Sequence, residues 1–210
     1  MNNIKLTGTV ASDLEYVYTI KKSNEKVYKF MVSSLRTSEK EDVLPCYVSE
    51  VNIKNLEIKQ GDRIDILGQI RSKNTKTHNV LIFVWVTYCQ HTFERNKDMN
   101  LVEFSNCAVC KFIKNQVTPT GRSITEIIVA SNRKASDSSD YIPTIFWGRY
   151  ANAASCLDVS DRISGTGRLQ SRAYIKKLED GSTEERVAYE LSVINFNLDK
   201  EESEVLEDGR

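Results

Sequence analysis

The chain is short of the side chains that most often do chemistry. Its 210 residues include two histidines, His78 and His91, and neither lies in a catalytic or metal-binding motif. There is no Gly-x-x-x-x-Gly-Lys, no Gly-x-Ser-x-Gly and no His-Glu-x-x-His, so phosphate-loop, serine-hydrolase and zinc-protease chemistries lack their residues. The acidic pairs Glu184-Glu185 and Glu201-Glu202 sit in polar stretches and read as solvated surface. Neither an enzyme nor a bound cofactor is expected. Long apolar runs are missing too. The longest, residues 80–86, has strand length and falls well short of the ~18 residues of a membrane-spanning helix. The opening Met1-Asn2-Asn3-Ile4-Lys5 lacks the apolar segment of a secretory signal, so a cytoplasmic location is expected. Five scattered cysteines make an odd set rather than a disulfide framework. Cys89-x-His91 and Cys107-x-x-Cys110 offer four soft ligands that suit zinc if they converge. In a strand, the spacing of Cys107 and Cys110 sends them to opposite faces, and buried thiols are the preferred reading. Finally there is no surplus charge, with 29 basic and 29 acidic side chains, which at first argues against a nucleic-acid partner.

What the chain does contain is a soluble, globular composition, 40% hydrophobic and 28% charged, and an internal repeat. Phe30-Met31-Val32-Ser33-Ser34-Leu35-Arg36 resembles Ile127-Ile128-Val129-Ala130-Ser131-Asn132-Arg133 at an offset of 97. Asp42-Val43-Leu44-Pro45 matches Asp140-Tyr141-Ile142-Pro143 at 98. Gly61-Asp62-Arg63-Ile64 and the residues to Ile70 match Ser160-Asp161-Arg162-Ile163 and the residues to Leu169 at 99. Landmarks in one order with a small drift indicate two copies of one fold. They place domains at 1–95 and 101–198, a polar joint at 96–100 and a separate segment at 199–210.

Within each copy the dominant period is two, the strand period. In the second copy, strands are expected near 102–112, 125–130, 141–147, 162–169 and 186–193. Tyr150-Ala151-Asn152-Ala153-Ala154-Ser155-Cys156-Leu157 is alanine-rich and suits a short helix. Glu179-Asp180-Gly181-Ser182 carries hairpin turn chemistry. Five strands with a helix after the third is the order of an OB-fold, a small Greek-key barrel, although periodicity alone also allows other small barrels. The expectation is an all-β chain of two tandem OB-fold barrels, each five-stranded with a short helix after the third strand.

Several motifs of the second copy form an ordered series: Ala130-Ser131-Asn132-Arg133, then Asp140-Tyr141-Ile142-Pro143-Thr144-Ile145-Phe146-Trp147-Gly148-Arg149, then Asp161-Arg162-Ile163 and Gly165-Thr166-Gly167-Arg168-Leu169-Gln170-Ser171-Arg172-Ala173-Tyr174. Over residues 101–198 the series resembles the bacterial single-stranded DNA-binding proteins. The resemblance implies protection of single strands without catalysis, by aromatic platforms in a basic groove. Stacking suits that task because every base has a π-face. By position, Tyr141, Trp147 and Tyr174 match base-stacking aromatics of the family, and Arg149 and Arg172 match basic positions that would neutralise phosphates. Arg133 and Lys134 stand where the loop after the second strand begins and could reach the nucleic-acid backbone. Tyr141, Ile145 and Trp147 share one strand parity while Ile142, Thr144 and Phe146 share the other; parity alone leaves open which faces solvent. Phe112 and Phe146 are expected in the core. The family often places a further aromatic after the Asn-Arg pair, where this chain has Lys134-Ala135-Ser136.

The first copy lacks these platforms. Val43 stands opposite Tyr141, Ser49 opposite Trp147 and Thr75 opposite Tyr174. Its Tyr16, Tyr18 and Tyr28 either pack in the barrel, the preferred reading, or form a different platform. Lys21, Lys22, Lys26, Lys73 and Lys76 offer phosphate contacts, but loop lysines are commonly just solvated.

Dividing the charge removes the objection raised by neutrality. Residues 1–95 carry +3, 96–100 carry 0, 101–198 carry +1 and 199–210 carry −4. The acidic segment has no core-forming pattern, so disorder is expected there. The family's acidic tail usually ends in a Phe-tipped apolar peptide that recruits repair and replication enzymes; this one ends in Gly209-Arg210. Replication or recombination proteins stay among the partners the resemblance implies, but recruitment through that peptide is in question. The expected partner is single-stranded DNA, bound by a homodimer that brings four barrels together. RNA uses the same physics. The competing expectation is an OB-fold interaction adaptor of the primosome type that binds protein more than nucleic acid.

Overall fold

Alternation decides the strands. In the computed structural model, which describes residues 1–74, 80–92, 97–134, 136–178 and 180–199, every second side chain of the first strand, including Ile4 and Leu6, is buried. The first copy forms β1 (Asn2–Val10), β2 (Glu15–Thr19), β3 (Lys26–Leu35), β4 (Glu41–Ser49), β5 (Arg63–Asn74) and β6 (Val80–His91). The second forms β7 (Met99–Val117), β8 (Ser123–Asn132), β9 (Ser139–Trp147), helix α1 (Arg149–Ala154), β10 (Arg162–Lys177) and β11 (Thr183–Leu198). Of the joint proposed at 96–100, Met99 and Asn100 already belong to β7 and Asn96 lies outside the described residues. Thr75, Lys76, His78, Ala135, Glu179 and residues 200–210 of the acidic segment also lie outside them.

Each copy closes into a ring. β7 pairs with β8, β8 with β9, β9 with β11 in parallel, β11 with β10, and β10 back with β7. The first copy repeats the circuit as β1–β3–β4–β6–β5–β1, again with one parallel pair, β4–β6. Both are OB-folds: closing the sheet removes exposed edges and fills the interior with Val, Ile and Leu. β2 follows a break in β1 and pairs with β3, whereas β7 covers the same course as one strand bent by register shifts at Val109/Lys111 and Phe112/Lys114. Equivalent register shifts occur at Leu67/Gly68 and Thr166/Gly167. Glycine is needed there because a Cβ at Gly68 would lie 2.6 Å from the Trp85 carbonyl oxygen, and one at Gly167 2.6 Å from that of Ser192.

The expected helix after the third strand is present only in the second barrel. There Thr125 Oγ1 donates to the Ala151 carbonyl at 2.8 Å, and Ala151 and Ala154 pack into the core. The first barrel has a single 3-10 turn, Glu50–Ile53, at that place. Val51 and Ile53 are β-branched and lose side-chain freedom in a helix, where alanine loses none.

One hydrophobic cluster runs through both barrels; Phe30 and Phe146 are fully buried in it and Phe112 packs at its edge. The barrels meet where β1 pairs antiparallel with β7, Ile4 opposite Val102. Repeat-related side chains finish the junction twice over. Asn2 brackets Ile70, its amide donating to the carbonyl at 3.2 Å and its oxygen accepting from the N–H at 2.6 Å; Asn100 does the same to Leu169 at 2.7 and 3.0 Å. Buried Asp42 takes a bidentate pair from Arg36 at 2.5 and 2.6 Å and accepts the Ser171 N–H of the other barrel at 2.8 Å. Reciprocally, buried Asp140 takes Arg133 at 2.6 and 2.9 Å and accepts the Ser72 N–H at 2.7 Å. Each serine hydroxyl then accepts a backbone N–H across the junction, Ser171 from Val43 at 3.2 Å and Ser72 from Tyr141 at 2.8 Å. Charge-assisted bidentate bonds of this kind are both strong and directional.

Candidate nucleic-acid interface

A cleft of about 1020 Å³ opens between the β3–β4 loop of the first barrel and the outer surface of the second. Its wall begins at the end of β9. Ile142 and Phe146 point into the core, so the alternate residues, Tyr141 and Trp147 among them, point outward. Gly148 then adopts φ +58° and ψ −126°, a conformation that L side chains rarely take. This turn starts α1 and brings Arg149 into the cleft lining beside Trp147.

The lining is strongly basic. Arg36, Lys40, Arg122, Arg149, Arg168 and Arg172 contribute against the single acidic Glu41. The Arg122 guanidinium lies 5.0 Å from the Trp147 ring centre and that of Arg149 4.9 Å from the Tyr150 ring. A cation on an aromatic face sets a positive charge directly against a ring at both places. Arg168 is half-buried, and its Nε, shielded from solvent, has no hydrogen-bond partner among the described residues. Desolvation, followed by repulsion from Arg36, lowers the pKa of its guanidinium from the ordinary value, with Asp42 opposing. An anion placed there would relieve both costs. Arg172 is less available: Glu190 accepts from it at 3.2 and 3.3 Å and its pKa is raised chiefly by that bond. The buried Glu190 also accepts from Gln170 at 2.7 Å.

Of the seven residues singled out from sequence, the cleft gathers Trp147, Arg149 and Arg172. The other four stand elsewhere. Tyr141 is 52% exposed at the opposite end of β9, about 20 Å from Trp147 at ~3.3 Å per residue. Tyr174 is also open, on the part of β10 that pairs with Arg186 near the hairpin end. Lys134 is exposed in the turn after β8. Arg133 donates through Nε and Nη2 to Asp140 at 2.9 and 2.6 Å, and its Nη2 also lies 3.4 Å from the Ser72 carbonyl. Its place is in the junction. Sequence reasoning missed Lys40, Arg122 and Arg168; Arg36 also lines the cleft but, like Arg133, is held by its junction carboxylate, Asp42. Only the Gly-Arg-Leu of residues 167–169 hinted at one of them, since alternation beside buried Leu169 turns Arg168 outward.

The four ligands considered for zinc do not gather. Cys107 and Cys89 are buried, Cys110 is half-buried, and no group of three or more His, Cys, Asp or Glu side chains suited to a metal exists among the described residues. Burial pushes the Cys89 thiol up to about 12, so it stays protonated. No described helix is long and apolar enough to cross a membrane.

Comparisons by sequence find no matching family model and no matching curated protein. By structure the chain is similar to the wild-type single-stranded DNA binding protein of Thermus aquaticus, with a TM-score of 0.74 and 14% identity over 95% of this chain and 93% of that one. It is also similar to a deletion mutant of that protein, with a TM-score of 0.71 and 16% identity over 99% and 98% of the two chains. The N-terminal domain of PriB from Thermoanaerobacter tencongensis aligns with 44% of this chain at 28% identity and a TM-score of 0.40. The likeness over nearly the full length shows the tandem OB-fold.

Proposed function

We propose that the chain binds single-stranded DNA without sequence preference and without catalysis, protecting strands exposed in replication, recombination, repair or mobile-element transfer. The observation that carries this reading is the cleft in which Trp147 stands among six basic side chains, of which Lys40, Arg122, Arg149 and Arg168 pair with no described carboxylate while Arg36 and Arg172 are held by Asp42 and Glu190. Aromatic faces supply sequence-tolerant stacking of about 1–3 kcal/mol per base, and the cations follow the phosphates. The outward rings of Tyr141 and Tyr174 extend the surface beyond the cleft, with Lys134 as a further phosphate contact. Likeness to a protein named for single-stranded DNA binding supports the same reading. The working unit is a cytoplasmic homodimer in which the barrels at 1–95 and 101–198 act as domains. Exposed Ile175 and Val187 on the β10–β11 hairpin supply apolar surface for association.

Titration of the full chain with labelled oligo-dT tests this. Micromolar or tighter binding is expected, with log affinity falling against log salt at about −0.7 per phosphate contacted. Absence of binding at low salt would overturn the reading and favour the protein-binding adaptor. Tighter binding to the matching RNA would reassign the ligand. Mass in solution tests the dimer.

A further inference from the structure

The pseudo-symmetry of the two barrels makes a second groove at the place related to the first. It has a volume of about 560 Å³ and is lined by Tyr18, Arg71, Ser72, Lys73, Phe83, Trp85, Arg133 and Ser136. In β6, Ile82, Val84 and Val86 belong to the barrel core, so alternation turns Leu81, Phe83 and Trp85 outward. There they meet Tyr18, Ile20, Val27 and Tyr47 in a hydrophobic cluster separate from the core. The Tyr47 and Phe83 rings pack 4.5 Å apart as its buried floor, with Tyr18 and Trp85 half-buried beside them. The barrel is already closed and filled, so its folding does not demand aromatics on the outer face.

Charge on the groove has one sign in surplus. Arg71 and Arg133 share the single carboxylate of Asp140, at 3.4 and 2.6 Å, which leaves one positive charge over. Lys73 Nζ sits 5.1 Å from the Tyr18 ring centre and pairs with no described carboxylate. The groove also connects to the surface described above. Ser72 in its lining accepts the N–H of Tyr141, and Tyr141 begins the outward face of β9 that ends at Trp147.

We propose that this groove is a second site for the same single-stranded polynucleotide, with bases against Trp85 and Tyr18 and phosphate on Lys73 and Arg71. The platform comes from positions that carry no aromatic in the second barrel. Register places Gln116 opposite Ile124 where Tyr18 stands opposite Val27, Glu190 where Phe83 stands, and Ser192 where Trp85 stands. The proposal rests on the DNA-binding reading and extends it to the barrel that lacks the Trp147 platform.

The chain has two tryptophans, Trp85 and Trp147. Trp147→Phe keeps a stacking ring and leaves Trp85 as the sole tryptophan, read by excitation beyond the tyrosine band. Titrated with oligo-dT of about 30 nucleotides, longer than one OB-fold's site, its emission is expected to be quenched in step with binding followed by anisotropy. Lys73→Glu, on an exposed side chain, is expected to weaken binding and reduce the salt slope by at least ~0.7. Binding without any change in Trp85 emission, together with an unchanged slope in Lys73→Glu, would overturn the second site and leave the first intact. Failure of the unmodified chain to bind would remove both. A Trp85 signal that follows protein concentration without DNA, with a doubling of mass, would reassign the groove to self-association.

Discussion

The two grooves occupy related places on related barrels and solve the same geometric problem with different side chains. Where one has Trp147 and Arg168, the other has Ser49 and Gln69; where one has Glu190 and Ser192, the other has Phe83 and Trp85. The junction shows the opposite behaviour, with Asn2 and Asn100, Asp42 and Asp140, and Ser72 and Ser171 making matching bonds. The difference follows from burial. A buried carboxylate must keep its partners, because an unpaired one is costly. An outward side chain on a closed barrel has no such obligation, so chemistry can differ there without touching the fold.

The largest effects should come from breaking what the barrels share. Asp140→Ala leaves Arg133 and Arg71 at the junction without their carboxylate and leaves the Ser72 N–H unpaired. A loss of about 3–5 kcal/mol is expected in denaturant unfolding, the usual cost of removing one partner of a buried ion pair. Asp42→Ala should cost a similar or slightly smaller amount, since among the described residues Arg36 is the only arginine that forms a salt bridge with it. Unchanged midpoints in both variants would show that the reciprocal clasp does not hold the barrels together.

Next come exchanges that make one groove resemble the other. Trp147→Ser installs the residue found at the related position of the first barrel. It should cost about 1–3 kcal/mol of oligo-dT affinity, one stacked base, with little change in stability because the indole is partly open. Full affinity in this variant would remove Trp147 from the site. Arg168→Gln copies Gln69. The salt slope should become shallower by ~0.7, one phosphate contact. Folding stability should hold or rise by about 1 kcal/mol, because a buried donor without a partner is removed. A steep loss of stability would instead make Arg168 a structural residue.

The sequence made the repeat, the strand order and the shared parity of Trp147 with Tyr141 legible, since each rests on local spacing, whereas which parity faces outward came only with the packed core. The role of Arg133 was not legible: Asp140 is near in sequence, but Ser72 and Arg71 reach it only across the junction. Trp85 was hidden for another reason. It lies in the run 80–86, where every residue is apolar, so alternation carries no contrast between inside and outside. The missing helix of the first barrel is a matter of β-branched Val51 and Ile53 in place of alanines, readable only once the two copies are aligned beyond their drifting offset.

The smallest expected change is a gain. Glu190 is buried and holds both Arg172 and Gln170, so the carboxylate competes with phosphate for the guanidinium. Glu190→Gln keeps the volume and a hydrogen bond to Gln170 while removing the charge. Arg172 then has its donors free for the nucleic-acid backbone, and the salt slope of oligo-dT binding should steepen by at most ~0.7, with affinity rising at low salt more than at high salt. Phe83, the related residue of the first barrel, presents no carboxylate to Lys73, so Lys73 already stands in the released condition that Glu190→Gln would create. Affinity that falls in Glu190→Gln would mean that the carboxylate positions Arg172 for phosphate instead of competing for it.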